Sequence, residues 1–211
     1  MTDWPQYTRS IDSGARALGI SLSDEQLALL VTYLRELASW NATHNLTAIR
    51  EPEAMVTRHL LDCLAIDAYI DGTRVADVGT GPGLPGFVLA VVDPARRITL
   101  VETNRKKTMF LRHARRQLGL AHVEIVQSRV EDYRPDDPFD CVVTRAFASA
   151  ANTIDQCAHL LAPEGRFVLM KGRDSSAETA CLPAGFRLVD TAPIHVPGLD
   201  AARHVAIVAR G

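Results

Sequence analysis

The segment Asp77-Val78-Gly79-Thr80-Gly81-Pro82-Gly83-Leu84-Pro85-Gly86 constrains this chain more than any other. It follows the β-rich run Arg74–Val78 and leads into the apolar run from Phe87 to Val92, which reads as a helix. Glycines placed between a strand and a helix allow turns that a Cβ forbids and let a bound group approach the backbone. The amides that open the helix point at that group, worth about 0.3–1 kcal/mol for an anion near the surface. A glycine-rich turn without a ligand is the plain alternative. Four glycines and two prolines between Gly79 and Gly86, in strand–helix context, argue against it.

Two ligand classes fit the loop. Gly81-x-Gly83-x-x-Gly86 matches the dinucleotide fingerprint of nicotinamide-dependent oxidoreductases. Asp77-x-Gly79-x-Gly81-x-Gly83 matches the loop of S-adenosylmethionine-dependent methyltransferases. Glu102 ends the next strand and could hold two ribose hydroxyls in either case. Charge favours the second reading. A pyrophosphate would be repelled by Asp77, whereas the ammonium and sulfonium of S-adenosylmethionine favour nearby carboxylates.

The rest of the chain supplies the frame. β-rich runs at Arg74–Val78, Arg97–Glu102, His122–Val126, Asp140–Thr144 and Arg166–Met170 alternate with helical segments near Pro85–Val92, Arg105–Leu118, Ala150–Leu161 and Ser175–Cys181. That alternation predicts an α/β fold with a mostly parallel sheet, covered on both faces. Two further runs, Phe186–Asp190 and His204–Ala209, flank a Pro/Gly loop from Pro193 to Gly198 and predict a closing antiparallel hairpin. The total is a seven-stranded Rossmann-like sheet of the class I methyltransferase type. Residues 1–72 read instead as a helical extension packed on a core of residues 73–211. A short helix near Ile11–Leu18 opens it. Ser23 and Gln26 form a capping box ahead of Leu27, Leu30, Val31, Leu34 and Leu37. Pro52 starts another helix, with Met55, Val56, His59, Leu60, Cys63 and Leu64 as its buried stripe.

Composition excludes several classes. Hydrophobic residues make up 47% and charged residues 23% of 211, which rules out disorder. No apolar run approaches the roughly 20 residues of a membrane span. The start, Met1-Thr2-Asp3-Trp4-Pro5, lacks the basic and apolar regions of a signal peptide, so a cytoplasmic protein is expected. Cys63, Cys141, Cys157 and Cys181 form no paired spacing, and the seven histidines form no ligand pattern, so neither disulfides nor a metal are expected. The net charge of −2 hides a basic stretch. Between Arg96 and Arg116 eight cations face one acid, Glu102.

More residues narrow the family. The segments are Trp40-Asn41, Asn45-Leu46-Thr47-Ala48-Ile49, Arg58-His59-Leu60-Leu61-Asp62, Lys106-Lys107, Phe110-Leu111, Gln127-Ser128-Arg129-Val130-Glu131, Thr144-Arg145-Ala146-Phe147-Ala148 and Lys171-Gly172. With the glycine loop, they make the chain resemble the bacterial small-subunit ribosomal RNA guanine-N7 methyltransferase G family, also called glucose-inhibited division protein B. The likeness runs from about Trp40 to Lys171; the first 20 and last 30 residues match loosely. The family commonly has Ser where this chain has Cys63.

The resemblance implies transfer of a methyl group from S-adenosylmethionine to guanine N7 in 16S ribosomal RNA, naked or within the small subunit. It implies cofactor contacts at Gly79, Leu84, Val130, Glu131 and Arg145, with Asp77, Gly81, Gly83 and Glu102 around the loop. The segments of amino-group and cytosine-C5 methyltransferases, Asn-Pro-Pro-aromatic and Pro-Cys, are missing at strand four. Cys141 reads as a core thiol. Arg145 should emerge at the carboxyl end of strand four, where such sheets bind ligands, and is the expected catalytic residue. The alternative for it is an ion pair to Glu131 or another nearby acid. Candidate RNA contacts are Arg58, His59, Arg105, Lys106, Arg112, Arg116 and Lys171. Nothing demands more than a monomer. A nicotinamide-dependent oxidoreductase and a non-catalytic ribosome assembly factor remain as alternatives.

Overall fold

A computed structural model describes residues 4–145, 149–172 and 181–211. The expected helix Ser175–Cys181 and the segment Ala146–Ala148 lie outside the described residues, apart from Cys181. Seven strands form one sheet: β1 (Arg74–Val78), β2 (Arg97–Val101), β3 (Glu124–Val126), β4 (Phe139–Arg145), β5 (Leu161–Lys171), β6 (Phe186–Ile194) and β7 (Arg203–Arg210). Their order is β3-β2-β1-β4-β5-β7-β6. The first five run parallel, and β7 pairs antiparallel with both β5 and β6. The order reverses between β1 and β4, which opens a crevice at the carboxyl ends of those strands.

Alternate residues of each strand serve opposite faces. Val75, Ile98, Cys141, Val143 and Val168 pack into one buried cluster; Ala76, Val78, Val142, Phe167 and Leu169 pack into another. The larger cluster continues into the N-terminal helices through Ile11, Leu30, Leu34 and Leu60. Cys141 is one of its thiols, and burial pushes its pKa up to about 12, so it is inert at neutral pH.

The helices are α1 (Trp4–Ala17), α2 (Asp24–His44), α3 (Pro52–Met55), α4 (Asp62–Leu64), α5 (Gly86–Val92), α6 (Arg105–Gln117) and α7 (Ala150–Cys157). The capping box at Ser23 forms: its Oγ accepts from Gln26 N–H, and Gln26 Oε1 accepts from Ser23 N–H. α6 starts at Asn104, whose Oδ1 accepts from the Lys106 and Lys107 amides.

Several boundaries differ from the sequence reading, among them the start of β5, at Leu161 rather than Arg166, and of β3, at Glu124 rather than His122. α1 begins at Trp4 rather than near Ile11, since Pro5 is compatible with a first turn. The helix expected to reach Leu161 ends at Cys157 and closes with a 3₁₀ turn over Ala158–Leu160. β6 runs through Pro193 to Ile194; it is the edge strand, where a residue without an N–H breaks no ladder. The helix starting at Pro52 widens into a π turn over Val56–Leu61 before α4.

Candidate active site

A cleft of about 520 Å³ opens at the carboxyl ends of β1, β4 and β5. A smaller recess of about 230 Å³, lined by Val78, Val101, Glu102 and Val130, shares Gly79 and Lys107 with it. Together they form one groove from the end of β2 to the start of β7.

The glycine loop makes the floor. Gly79, Gly81 and Gly83 have φ of 66°, 61° and 98°, in the left-handed region that favours glycine. A Cβ on Gly81 would meet nothing within 4 Å, so it would project into open space beside the cleft. A Cβ on Gly83 would lie 2.2 Å from Phe87 Cδ2. Gly83 is therefore demanded by packing and Gly81 by the space it leaves.

Asp77 braces the loop from below. Its Oδ2 accepts from Thr80 Oγ1 at 2.6 Å and from the Gly86 amide at 2.8 Å, while buried Oδ1 has no partner among the described residues. Burial raises its pKa to about 6. Glu102 faces the same loop: Oε2 accepts from Gly81 N–H at 3.0 Å and Oε1 from Asn104 N–H at 2.8 Å. Lys107 Nζ stands 3.9 Å from Glu102 Oε2. An unpartnered buried carboxylate oxygen, a glycine with room above it and a second carboxylate at the next strand end fit a ligand that carries a cation and a diol.

The far wall comes from the N-terminal region. Asn41 Oδ1 accepts from Thr47 N–H and its Nδ2 donates to Ile49 O, which brings Thr47, Ala48 and Ile49 to the cleft. Asn45 holds the left-handed end of α2, with φ of 51°. Both asparagines are braces. His59 is buried, with Nε2 3.0 Å from Thr47 Oγ1 and Nδ1 3.0 Å from Arg58 O. Burial and the nearby Arg145 cation lower its pKa to about 4.

Arg145 leaves the end of β4 and lines the cleft. Its Nη1 donates to Arg58 O at 3.2 Å and lies 3.6 Å from Asp62 Oδ2. Asp62, not Glu131, is thus its acidic partner.

The groove brings together Gly79, Gly81, Leu84, Glu102, Val130, Arg58, His59, Arg145 and Lys171. Asp77 and Gly83 sit beneath it. Glu131 is exposed and lines neither part. Arg105 and Lys106 are exposed at the start of α6, off the cleft wall. Arg112 and Arg116 lie further along that helix and line a separate groove with Arg115. Sequence reasoning gave no role to Thr47, Asp62, Lys107 and Arg203, which also line the cleft. Thr47, Asp62 and Lys107 stand inside the family segments, while Arg203 carries no local signal.

The profile of the family described as rRNA small subunit methyltransferase G matches residues 26–206. The chain belongs to this family. Ribosomal RNA small subunit methyltransferase G of Erwinia tasmaniensis is 44% identical over 195 residues, covering 92% of this chain and 95% of that protein. The Escherichia coli protein of the same name is 42% identical, covering 90% of this chain and 92% of its own length. Among solved structures, the glycopeptide N-methyltransferase MtfA complexed with S-adenosyl-L-methionine aligns with a TM-score of 0.57 at 15% identity, over 72% of this chain and 88% of that one. TrmN of Thermus thermophilus aligns at 0.56 and 18% identity, over 74% and 53%. These structures share the fold. As a member of this family, the chain is an S-adenosylmethionine-dependent enzyme rather than a nicotinamide-dependent one. Among the described residues no helix is long and apolar enough to cross a membrane.

Proposed function

We propose that the enzyme methylates N7 of a guanine in 16S ribosomal RNA, working in the cytoplasm as a single chain without a metal. The observation that carries this reading is the cleft itself. A methyltransferase glycine loop forms its floor, and Arg58, Lys107, Arg145, Lys171 and Arg203 surround it against Asp62, the one lining carboxylate among the described residues. Such an excess of cations suits a polyanionic substrate.

When bound, S-adenosylmethionine supplies an electrophilic methyl group on a sulfonium. Asp77, with its unpartnered Oδ1, attracts the ammonium, and Glu102 takes the ribose hydroxyls. The backbone at Gly79 and Gly81 allows close approach. Leu84 and Val130 give apolar contact.

Guanine N7 carries a lone pair and no proton, so the chain needs no general base. The lining residues suit that requirement: His59, with its pKa lowered to about 4 and both ring nitrogens engaged, is a weak base, and Asp62 is engaged by two arginines. Arg145 orients the reacting base with a planar fork of donors. Catalysis is then positioning and electrostatics. Arg58, His59 and Lys171 meet RNA at the cleft; Arg105, Lys106, Arg112 and Arg116 extend the contact along α6.

The test is methyl transfer from labelled S-adenosylmethionine to small subunits from a strain lacking the gene, with the product nucleoside identified by mass spectrometry. A single 7-methylguanosine is expected. A different methylated nucleoside overturns the N7 assignment. RNA binding without incorporation indicates an assembly factor.

A further inference from the structure

Asp62 is where three distant parts of the chain meet. Its Oδ1 accepts from Arg203 Nε at 2.7 Å, and its Oδ2 faces Arg145 Nη1 at 3.6 Å. The Asp62 side chain is 5% exposed, against 25% for Arg203 and 21% for Arg145. The carboxylate is therefore covered by the two guanidiniums, which keep access to the cleft.

The π turn places it there. An unbroken helix from Pro52 would bury Met55, His59 and Cys63 with Val56, Leu60 and Leu64, and would turn residue 62 outward. One widened turn over Val56–Leu61 buries every residue from His59 to Leu64 and brings Asp62 to the cleft beside His59. Such turns sacrifice hydrogen-bond geometry and concentrate at functional sites. Packing alone does not call for a buried carboxylate between two arginines, since apolar residues of similar volume serve stability as well.

Donors remain spare. Arg203 spends Nε on Asp62 and Nη1 on Ala202 O; Arg145 spends Nη1 on Arg58 O and on the edge of His59. Among the described residues no hydrogen bond uses Arg203 Nη2 or the Nε and Nη2 of Arg145. Among the described residues two cations share one anion, which leaves a positive charge and three fork donors for an oxyanion. β7 is antiparallel, which brings its first residue to the end of the sheet where the parallel strands finish. It stands three strands from β1, about 14 Å at the usual spacing, away from the glycine loop and Glu102. That distance favours the RNA over the cofactor carboxylate.

We propose that Arg203 binds a phosphodiester of the RNA substrate and that Asp62 is the positioning residue that holds Arg203 and Arg145 as a pair. This rests on RNA being the substrate. The experiment compares wild type, Arg203→Ala, Arg203→Lys and Asp62→Asn on unmodified small subunits. It measures kcat, KM, the salt dependence of subunit binding, the cofactor Kd by calorimetry and thermal unfolding. Arg203→Ala should raise KM five- to thirtyfold, leave kcat and cofactor Kd within about threefold, and flatten the slope of log K against log salt by about 0.7–0.9. Arg203→Lys should keep the slope. Asp62→Asn should raise KM and lower kcat together; should it fail to fold, Asp62→Glu, which shifts the charge by one methylene, should do the same. An Arg203→Ala enzyme with wild-type KM and slope overturns the phosphodiester contact. So does one that loses cofactor affinity while keeping the slope. A folded Asp62 variant with wild-type kcat and KM overturns the positioning role. A wild type that binds subunits but transfers no methyl overturns the reaction proposed above and leaves the Arg203 salt slope readable.

Discussion

Arg145 Nη1 lies 3.3 Å from His59 Nδ1, so a cation from β4 and a buried imidazole from the N-terminal region share one corner of the cleft. Burial, helped by this contact, keeps His59 neutral down to about pH 4, against an ordinary 6.5. Between those values the unfolded chain binds the extra proton, so His59 makes stability fall as pH drops from 6.5 to 4. Asp77 acts oppositely. Its pKa of about 6 lies above the ordinary 3.8, so it adds stability as pH drops from 6 to 4. Each effect is on the order of 3 kcal/mol, and in the wild type they largely cancel. His59→Gln should therefore gain stability relative to wild type on acidification, and Asp77→Asn should lose it. Urea unfolding at pH 7, 6, 5 and 4 reads both; parallel curves for all three proteins would refute the pair.

Asp77→Asn also separates folding from function. An amide oxygen can accept from Thr80 Oγ1 and Gly86 N–H as the carboxylate does. It removes a buried charge that is costly above pH 6. The variant should be about 1–3 kcal/mol more stable at pH 7 and bind S-adenosylmethionine at least tenfold more weakly. Undiminished cofactor affinity by calorimetry would take the ammonium contact away from Asp77.

Arg145→Ala should lower turnover at least tenfold, about 1.4 kcal/mol of barrier. It should also raise the pKa of His59 by removing the cation that helps depress it, an effect visible in the imidazole NMR titration. A folded variant with an unchanged rate would remove Arg145 from the mechanism.

What was legible in the chain follows from how local each cause is. The glycine loop, the capping box and the strand run at Arg74–Val78 are written in neighbouring residues, and each appears where the pattern put it. Arg145 could be placed because a strand end has a known direction in a parallel sheet. Asp62 and Arg203 are 141 residues apart and meet only through a π turn and an antiparallel last strand. The antiparallel hairpin is legible from the two runs around the Pro/Gly loop, but the π turn has no signature in periodicity, and neither tells that Asp62 and Arg203 meet. For the same reason the sequence offers Glu131 or another nearby acid opposite Arg145, and the fold delivers Asp62: nothing local says which carboxylate it is. Lys107, rather than Lys106, reaches the groove because one residue is about 100° of helical phase.

Two glycines of the loop should respond differently to the same methyl group. Gly81→Ala puts a Cβ into open space at a φ of 61°, so strain of about 1–2 kcal/mol is its whole folding cost. The protein should fold and lose cofactor binding. Gly83→Ala drives a Cβ to within 2.2 Å of Phe87, a fully buried ring, and should be the more destabilised by several kcal/mol. Thermal unfolding with and without S-adenosylmethionine separates the two; equal losses of melting temperature would place both glycines in packing alone.

The basic face of α6 gives the last prediction. Arg105, Arg112, Arg115 and Arg116 are exposed, while Phe110, Leu111 and Ala114 on the opposite side are buried against the core. Exposed charge on a helix is usually only solvated, and these arginines are not part of the cleft wall. Their case for RNA contact is geometric: α6 starts at Asn104, two residues past Glu102, so it leads away from the groove. A strand entering the groove can follow it. Each phosphate neutralised steepens log K against log salt by about 0.7–0.9, so reversing Arg112 and Arg116 to Glu should flatten the slope for subunit binding by at least 1.4. Neither residue touches Asp77, Glu102 or Arg145, so cofactor affinity should hold. An unaltered slope would return this face to solvent and confine recognition of RNA to the cleft.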